Sequence, residues 1–390
     1  MSRAALIGLG LACAAIGAIV ATGMGRALDA DSPTTTVIET VAQGGDTAVP
    51  AVPVTRAGFD PAAVYARRSP GVVTIYADLG DTGGSQGSGF VVDARGHILT
   101  NAHVITDVTA SPASVSGARA IYVEFPDGER VRGTVVGWDL FNDTGVVKVD
   151  PSTHALAPVP LGDSDTVRVG EPVAAIGSPF GKQSSLAVGV VSAIGRTIDS
   201  LTSGFAIADA IQIDAPINRG NSGGPLFDAR GRVIGINAQI QSQSGTAEGV
   251  GFAVPINSAA RSLRQLVRTG EVRYAYVGIE AQDLTPGLAR AIGLPATRGA
   301  LVVRVNPGTP AARAGLRPGT STRTVNGVEV AVGGDVVLAI DGRPVRSSDD
   351  VGRLVASTLL PGQTVDFVVL RGGKRTTVPV TLADRPRQSG

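Results

Sequence analysis

The stretch Ile217–Phe227 reads INRGNSGGPLF, and its six residues Gly220–Pro225 hold three glycines, one proline and one hydroxyl side chain, that of Ser222. A glycine-rich segment of this kind is often a tight surface turn, because glycine adopts backbone conformations that other residues avoid. The same composition suits a loop that holds one serine oxygen at a reacting carbon. A serine hydroxyl is a weak nucleophile that needs a general base within hydrogen-bond reach, so the rest of the chain decides between these interpretations.

Short β-branched segments surround this stretch over residues 61–268, and Gly, Asp and Pro turns separate them. Many short strands at such spacing predict an antiparallel barrel or sandwich, so the chain is expected to be mainly β. The segment SAARSLRQLVRTG then predicts a closing helix that ends at Gly270. Its expected apolar face consists of Ala260, Leu263, Leu266 and Val267.

A second, smaller unit is predicted over 274–385, where strands alternate with short helical segments. This mixture is typical of an α+β domain. Within it, residues 319–334 are longer than a minimal turn and are expected to form an extra surface hairpin or loop, to which no function is assigned.

The composition excludes several classes of protein. The chain has 390 residues, 43% of them apolar, and its 34 basic and 33 acidic residues give a net charge of +1, which argues against nucleic-acid binding by bulk electrostatics. The only cysteine, Cys13, rules out an intrachain disulfide and lies in an apolar run. Three scattered histidines without an available cysteine provide no cluster of ligands, so no metal or organic cofactor is expected.

The N-terminal residues 1–28 are interpreted as a membrane anchor or a signal segment. Ala4–Met24 carries no charge and, at about 1.5 Å per residue, would form a helix roughly 31 Å long. A cleavable signal has a shorter apolar region, although Ala21–Gly23 could be cut. Both alternatives export the remainder, either as a single-pass membrane protein with its catalytic domains outside the cytoplasm or as a secreted or periplasmic protein. Residues 29–60 are predicted to be a flexible linker.

Candidate partners for Ser222 are few. Of the three histidines, His103 ends an apolar strand in ILTNAHVI, His97 lies beside a glycine turn and is expected to be solvated, and His154 lies in a polar loop. A catalytic histidine also needs a carboxylate that fixes its tautomer. Asp143 opens the apolar strand in NDTGVVKV, and Asp139, four residues earlier, is the alternative.

Together, the segments TNAHVI, NDTGVVKV and INRGNSGGPLF resemble the trypsin-like serine proteases, in the order His, Asp, Ser. The segments GSGFVVDARGHILTNAHVI, AIGSPFG, NRGNSGGPLFDARGRVIGIN and GVGFAVPI are similar to the HtrA/Deg family in particular. The resemblance runs over about 65–268 and continues into the next domain. It implies a chymotrypsin-like double β-barrel protease domain followed by a PDZ domain, and the order of the three residues excludes subtilisin-type and α/β-hydrolase proteases.

On this resemblance, His103 is the general base and then the general acid, Asp143 orients it, and Ser222 attacks the peptide carbonyl. The backbone N–H groups of Gly220 and Ser222 would form the oxyanion hole. One departure concerns Asp143–Gly145, which reads DTG where the family usually has Asp-Leu-Ala or Asp-Ile-Ala. We therefore expect looser packing behind Asp143.

The resemblance also implies that residues just before the nucleophile, Ile217 and Asn218, line the substrate pocket together with the segments IGINAQI and GVGFAV. No acidic residue lies between Asp214 and Ser222. A pocket for Arg or Lys is therefore not expected, and small to medium aliphatic residues are predicted to bind there.

The 274–385 unit resembles a PDZ domain of the bacterial HtrA type, on the motif YVGI with TPAARAGLRPG and GDVVLAIDGRPV following in order. The motif is similar to the loop whose backbone N–H groups receive a peptide carboxylate while the peptide adds as an edge strand. Val351 and Leu354 are expected to line the groove. The residues implied to bind the peptide are Tyr276, Val277, Gly278 and Ile279.

The family resemblance implies an exported, ATP-independent serine endopeptidase that cleaves misfolded or unfolded proteins. It also implies a homotrimer assembled through the protease domains. Two alternatives stay open: a non-proteolytic chaperone or scaffold that only binds peptides, and a regulatory protease that cuts one membrane-anchored partner.

Overall fold

A computed structural model describes residues 58–107, 115–178, 185–199, 206–217, 220–238 and 250–386. These residues belong to one compact unit. The apolar helix predicted within 1–28, almost all of the linker predicted over 29–60, and Asn218 lie outside the described residues. Among the residues that are described, no helix combines the length and apolar character needed to span a membrane.

The first part of the described chain forms a closed barrel. Helix α1 precedes it, with Asp60 capping the helix through a side-chain bond to the Ala63 N–H. Its strands close in the order β1-β2-β3-β8-β7-β6, while β4 and β5 pair separately. The elements are α1 (Pro61–Arg68), β1 (Val72–Asp78), β2 (Gly84–Val91), β3 (His97–Thr100), α2 (Ala102–Ile105), β4 (Thr106–Asp107), β5 (Ser116–Gly117), β6 (Ala120–Glu124), β7 (Arg130–Asp139) and β8 (Thr144–Val149).

A second closed barrel follows, in the order β10-β11-β14-β13-β12-β9. Its elements and the helix after it are β9 (Pro172–Gly177), β10 (Ser185–Asp199), β11 (Ala206–Ile213), β12 (Pro225–Phe227), β13 (Val233–Ala238), β14 (Gly251–Pro255) and α3 (Ile256–Thr269). One apolar cluster joins both barrels, because Phe90 and Leu99 of the first pack in the same cluster as Phe227 and Ile236 of the second. The mainly β prediction is confirmed, and the sandwich alternative is replaced by two closed barrels.

The closing helix α3 ends at Gly270, whose φ of 75° is the left-handed C-cap conformation that glycine favours. Its predicted apolar face is partly wrong, because Val267 is 39% exposed. The helix begins at Ile256, which lies outside the segment used for the prediction, and the buried residues follow from it at intervals of three and four positions. Its buried residues are Ile256, Ala259, Ser262 and Leu266.

The C-terminal part is a mixed α and β domain whose sheet has the strand order β16-β17-β20-β22-β23; β21 pairs with β20, and β15 pairs with β24. Thr285, Thr309 and Ser347 cap its three helices through side-chain oxygens. The elements are β15 (Ala275–Tyr276), β16 (Ile279–Leu284), α4 (Pro286–Ile292), β17 (Gly299–Val305), α5 (Pro310–Ala314), β18 (Ser321–Val325), β19 (Val328–Val332), β20 (Val336–Ile340), β21 (Arg343–Pro344), α6 (Ser348–Thr358), β22 (Thr364–Arg371), β23 (Lys374–Thr381) and β24 (Ala383–Asp384).

Residues 319–334 contain a two-stranded hairpin, β18–β19, whose strands pair from Ser321 with Val332 to Val325 with Val328. Val330 of this hairpin is buried and belongs to an apolar cluster with residues of α4, β17 and β20. The predicted hairpin is therefore present, and it is packed onto the domain.

Candidate active site

His103 lies on the short helix α2 that directly follows β3, and Asp143 lies directly before β8, the strand that pairs with β3. This pairing brings the two side chains together. The Nδ1 atom of His103 lies 2.7 Å from Oδ2 of Asp143, and the backbone N–H of His103 donates to Oδ1 over 3.0 Å. The carboxylate of Asp143 therefore holds both the ring and the backbone of His103, as a carboxylate that orients a general base must do.

The electrostatics of this pair favour the protonated imidazole. Burial lowers the pKa of His103, but the charge of Asp143 and its hydrogen bond outweigh burial and raise the pKa above the usual 6.5. A raised pKa makes His103 a stronger base, and Asp143 also stabilises the imidazolium that forms when the base accepts a proton.

Asp143 has a left-handed backbone conformation, with φ of 45°. Its carbonyl accepts a hydrogen bond from Nδ2 of Asn101 over 2.8 Å. The expectation of looser packing behind it is wrong, because a Cβ atom at Gly145 would lie 2.7 Å from Cδ1 of Ile105 and 2.9 Å from the Asn101 carbonyl oxygen. The glycine of the DTG segment thus lets the helix that carries His103 approach β8 more closely than a side chain would allow.

Ser222 lies in the turn before β12, and the turn begins with Gly220 at φ of 100°, a conformation that glycine tolerates. The residue is only 4% exposed, and its Oγ has no hydrogen-bond partner in the described chain, so it is not bonded to His103. Among the described acceptors, none receives the backbone N–H of Gly220 or of Ser222. Among the described residues, the turn therefore presents one hydroxyl and two amide donors that have no hydrogen-bond partner.

Ser88 of β2 fastens this turn to the first barrel. Its Oγ donates to the Gly220 carbonyl over 2.5 Å, and its backbone N–H donates to the Ser222 carbonyl over 2.8 Å. Thr100, three residues before His103, donates its hydroxyl to the Ser88 carbonyl over 2.6 Å. Sequence reasoning missed Ser88 and Thr100, although both lie in motifs already quoted, GSGF and TNAH. The available signal was a serine between two glycines in GSGF and a threonine that ends the apolar run in ILTN.

The close contact between turn and barrel explains the glycine after Ser222. A Cβ atom at Gly223 would lie 2.2 Å from the Ser88 carbonyl oxygen and 2.3 Å from Oγ1 of Thr100, and φ there is 84°. Any other residue would push the turn that carries Ser222 away from the first barrel.

The other two histidines do not reach Ser222. His97 is buried, contrary to the expectation of a solvated residue, because Oδ2 of Asp93 lies 2.8 Å from its Nδ1. His154 stacks on Phe125 with ring centroids 3.7 Å apart, and its Nε2 lies 3.0 Å from Oδ2 of Asp127. Asp127, His154 and Glu129 are the described residues that could share a metal ion, but both carboxylates are exposed.

Asp139, the alternative carboxylate, points away from His103. It is buried and accepts hydrogen bonds from Ser262 of α3 and from Tyr274, between α3 and β15. Ile217 packs beside β14, where a Cβ atom at Gly251 would lie 2.7 Å from its Cγ1. This contact lies in the segment GVGFAV, which was expected to form part of the same pocket.

A groove of about 210 Å³ lies between the YVGI loop and helix α6. In the described chain, no acceptor receives the backbone N–H groups of Val277 and Gly278, while their carbonyls accept from Ala311 and Asn306. Val351 lines the groove as expected, whereas Leu354 packs in the domain core. The groove is lined by Ala275, Tyr276, Val277, Gly278, Ile279, Ala281, Ser348, Val351, Gly352, Val355, Ala356 and Arg385.

Comparison with known proteins agrees with this architecture. Residues 87–236 match the trypsin-like peptidase domain, and residues 275–382 match the PDZ domain. The solved structure of the HtrA-type protease AlgW with a tripeptide is 36% identical, with a TM-score of 0.68 over 84% of this chain and 98% of that chain.

Curated relatives are longer than this chain. A probable periplasmic serine endoprotease, DegP-like, from Halomonas elongata is 40% identical over 77% of this chain and 57% of its own length. Protease Do-like 1, chloroplastic, from Arabidopsis thaliana is 38% identical over 78% of this chain and 64% of its own length. The chain thus spans little more than half the length of such relatives. The evidence consists of the two domain matches, the double barrel and the likeness to a solved HtrA-type protease over nearly the whole length of that protease. The chain therefore belongs to the HtrA/Deg family of trypsin-like serine proteases with one PDZ domain.

Proposed function

We propose that the chain is an exported serine endopeptidase whose triad is His103, Asp143 and Ser222. The observation that carries the proposal is the double hydrogen bond between Asp143 and His103 beside a turn that bears an unpaired Ser222 hydroxyl. Because that hydroxyl is not bonded to His103, hydrolysis requires a movement that brings Oγ within hydrogen-bond distance of Nε2. Catalytic hydrogen bonds are often long before substrate binds.

In the proposed reaction, His103 takes the proton of Ser222 as Oγ attacks the peptide carbonyl carbon. The N–H groups of Gly220 and Ser222 stabilise the negative oxygen of the tetrahedral intermediate, and each such donor contributes roughly 10²–10³-fold to turnover. His103 then gives its proton to the leaving amine. Water, deprotonated by His103, attacks the acyl-enzyme and releases the second product and Ser222. Asp143 orients the imidazole throughout.

Unfolded or misfolded proteins are the proposed substrates, with small to medium aliphatic residues, next to Ile217 and Asn218, before the cleaved bond. The PDZ groove would bind peptide C-termini, with Tyr276, Val277, Gly278 and Ile279 around the carboxylate. Relatives described as periplasmic support an exported enzyme, and we propose a homotrimer and an N-terminal membrane anchor on the family resemblance and on the sequence alone.

A second candidate function is a regulatory protease that cuts one membrane-anchored partner. The buried, unpaired Oγ of Ser222 favours it, because a hydroxyl held away from its base suits an enzyme that stays inactive until it is activated. Both candidates use the same triad.

Cleavage of fluorescein-labelled unfolded casein by the full chain tests the proposal. Wild type and Ser321→Ala, a change at an exposed serine of the β18–β19 hairpin, should cleave it equally, and Ser222→Ala should not. Casein left intact by wild type, with cleavage of a membrane-anchored substrate, would favour the regulatory protease. Cleavage by Ser222→Ala would exclude the triad, and peptide binding without any cleavage would favour the chaperone alternative.

A further inference from the structure

A polar cluster of Asp139, Asn142, Ser262 and Tyr274 adjoins the loop that leads to Asp143, and all of these residues except Asn142 are buried. Asp139 is the last residue of β7 and is 2% exposed. Its Oδ2 accepts from the hydroxyls of Ser262, over 2.5 Å, and Tyr274. Its Oδ1 accepts the backbone N–H groups of Phe141, over 3.0 Å, and Asn142, over 3.4 Å. Burial raises the pKa of Asp139, and these four hydrogen bonds oppose that effect. Together the four donors fill the roughly four acceptor sites that a carboxylate has when it is ionised.

Tyr274 holds the loop before Asp143 in three ways. Its hydroxyl donates to Asp139 and accepts from Nδ2 of Asn142 over 2.7 Å. Its ring meets the ring of Phe141 edge to face, with centroids 5.2 Å apart. Burial raises the pKa of Tyr274 well above 10, and the charge of Asp139 raises it further, so the hydroxyl keeps its proton and remains a donor.

The loop so held ends at the carboxylate that orients His103. Asn142 precedes Asp143 directly, and Asp143 has φ of 45°, in the left-handed region that residues other than glycine adopt uncommonly. From this backbone position it makes two hydrogen bonds to His103, of 2.7 and 3.0 Å. A change in the residues that fix Asn142 should therefore be transmitted to the imidazole.

We propose that Tyr274 is a positioning residue for peptide hydrolysis: its hydroxyl, through Asp139 and Asn142, fixes the loop that places Asp143 against His103. Among the described contacts of Tyr274, none joins it to Ser222 or to the backbone N–H groups of Gly220 and Ser222, so its effect on hydrolysis would pass through this loop. The proposal rests on the proposed function, because it requires the pair of His103 and Asp143 to be catalytic.

Tyr274→Phe is the direct test, because it keeps the ring beside Phe141 and removes only the hydroxyl. We expect kcat on labelled casein to fall about tenfold with KM unchanged, since a misplacement of about 1 Å can cost roughly 10²-fold in rate. The matched control is Tyr122→Phe, at a tyrosine of β6 that is 43% exposed, and it should leave both constants unchanged. A kcat for Tyr274→Phe equal to that of wild type would overturn the proposal.

A second variant separates positioning from a general loss of stability. Asn142→Ala should lower kcat without raising KM, and the double variant with Tyr274→Phe should be little worse than the more damaged single variant, because both break the same link. Losses in log kcat that add fully would mean independent effects and would overturn the proposal. If Tyr274→Phe shows no cooperative unfolding transition and so does not fold, Asn142→Ala becomes the test. A kcat of Asn142→Ala equal to that of wild type would then contradict the proposal.

Failure of the proposed function and failure of the positioning role of Tyr274 give different results. If wild type does not hydrolyse casein, the proposed degradative function fails and the positioning role fails with it. If wild type is active and Tyr274→Phe has the same kcat, only the positioning role is lost.

Discussion

Asp143 determines the behaviour of His103 by both charge and geometry. Burial alone would lower the pKa of the imidazole, and the carboxylate reverses that effect. Because a general base must be neutral to accept a proton, activity is expected to fall as the pH drops through the raised pKa of His103.

Asp143→Asn tests this directly in the pH profile of kcat/KM. Without the carboxylate charge, burial acts unopposed and lowers the pKa of His103, so the acid limb of the profile should move to lower pH. Turnover should also fall by roughly 10⁴-fold, as for the equivalent change in a Ser-His-Asp triad. Asp93→Asn, which removes the carboxylate beside His97, is the matched control and should leave the profile unchanged. An acid limb that stays in place in Asp143→Asn would contradict the account.

At single residues, sequence motifs and their order indicate candidate reactive groups, whereas the residues that support those groups are found only from the fold. His103, Asp143 and Ser222 were selected by motif and order. Ser88 contacts Gly220 across 132 positions, and no local pattern reveals a contact of that range. His97 was expected to be solvated because the glycine turn beside it was visible, whereas the carboxylate of Asp93 that draws it inward was not recognised.

Among the secondary-structure elements, the β18–β19 hairpin acts as a packing element. Its partly buried face joins Val330 to the cluster of Leu284, Leu288, Leu301, Val336 and Leu370. The neighbouring residue Glu329 is exposed, as expected for alternating sides of a strand.

Val330→Ala should therefore destabilise the C-terminal domain by about 1–2 kcal/mol, because two buried methyl groups are lost and a cavity remains. Thermal unfolding measures the change, and Glu329→Ala on the opposite face should alter the melting temperature little. Equal melting temperatures for the two variants would show that the hairpin does not stabilise the domain.

Strands were predicted well because β-branched segments bounded by glycine mark them locally. The strand pattern alone left barrel or sandwich open, because strand order depends on pairings such as β1 with β6, which lie far apart in sequence. The family resemblance supplied the expectation of two barrels. The face of α3 was misjudged because the helix begins at Ile256, before the segment from which its apolar face was deduced. Ser262 faces inward because its hydroxyl donates a hydrogen bond to Asp139, and a hydrophobicity pattern does not reveal such a bond.

At the scale of the whole molecule, arginines connect the PDZ domain with the protease domain. The guanidinium of Arg385 lies 4.7 Å from the ring centroid of Phe141, and Arg385 also lines the PDZ groove. Arg261 of α3 donates to the carbonyl of Ala356, another groove residue. Two residues that line the PDZ groove, Arg385 and Ala356, thus also contact the protease domain. The sequence motifs of neither domain indicate these contacts.

Arg385 is expected to attract the carboxylate of a peptide in the groove. In fluorescence anisotropy with a decapeptide ending in valine, Arg385→Gln should weaken binding roughly fivefold, about 1 kcal/mol for a partly exposed charge pair. The C-terminally amidated peptide should bind wild type less tightly than the peptide with a free carboxylate does. Its affinity for Arg385→Gln should almost equal its affinity for wild type. Arg375→Gln, at an exposed arginine of β23, is the control. If Arg385→Gln weakened binding of the free-acid peptide and of the amidated peptide equally, attraction between Arg385 and the peptide carboxylate would be contradicted.

The central claim is that Ser222 is a nucleophile activated by His103 and Asp143, and covalent labelling tests it most directly. A valine diphenyl phosphonate, which forms a stable bond only with an activated serine, should add once to the full chain, and peptide mapping by mass spectrometry should locate the adduct at Ser222. Ser222→Ala should remain unlabelled, and His103→Ala should label far more slowly. An adduct that persists in Ser222→Ala, or equal labelling of wild type and His103→Ala, would contradict the account.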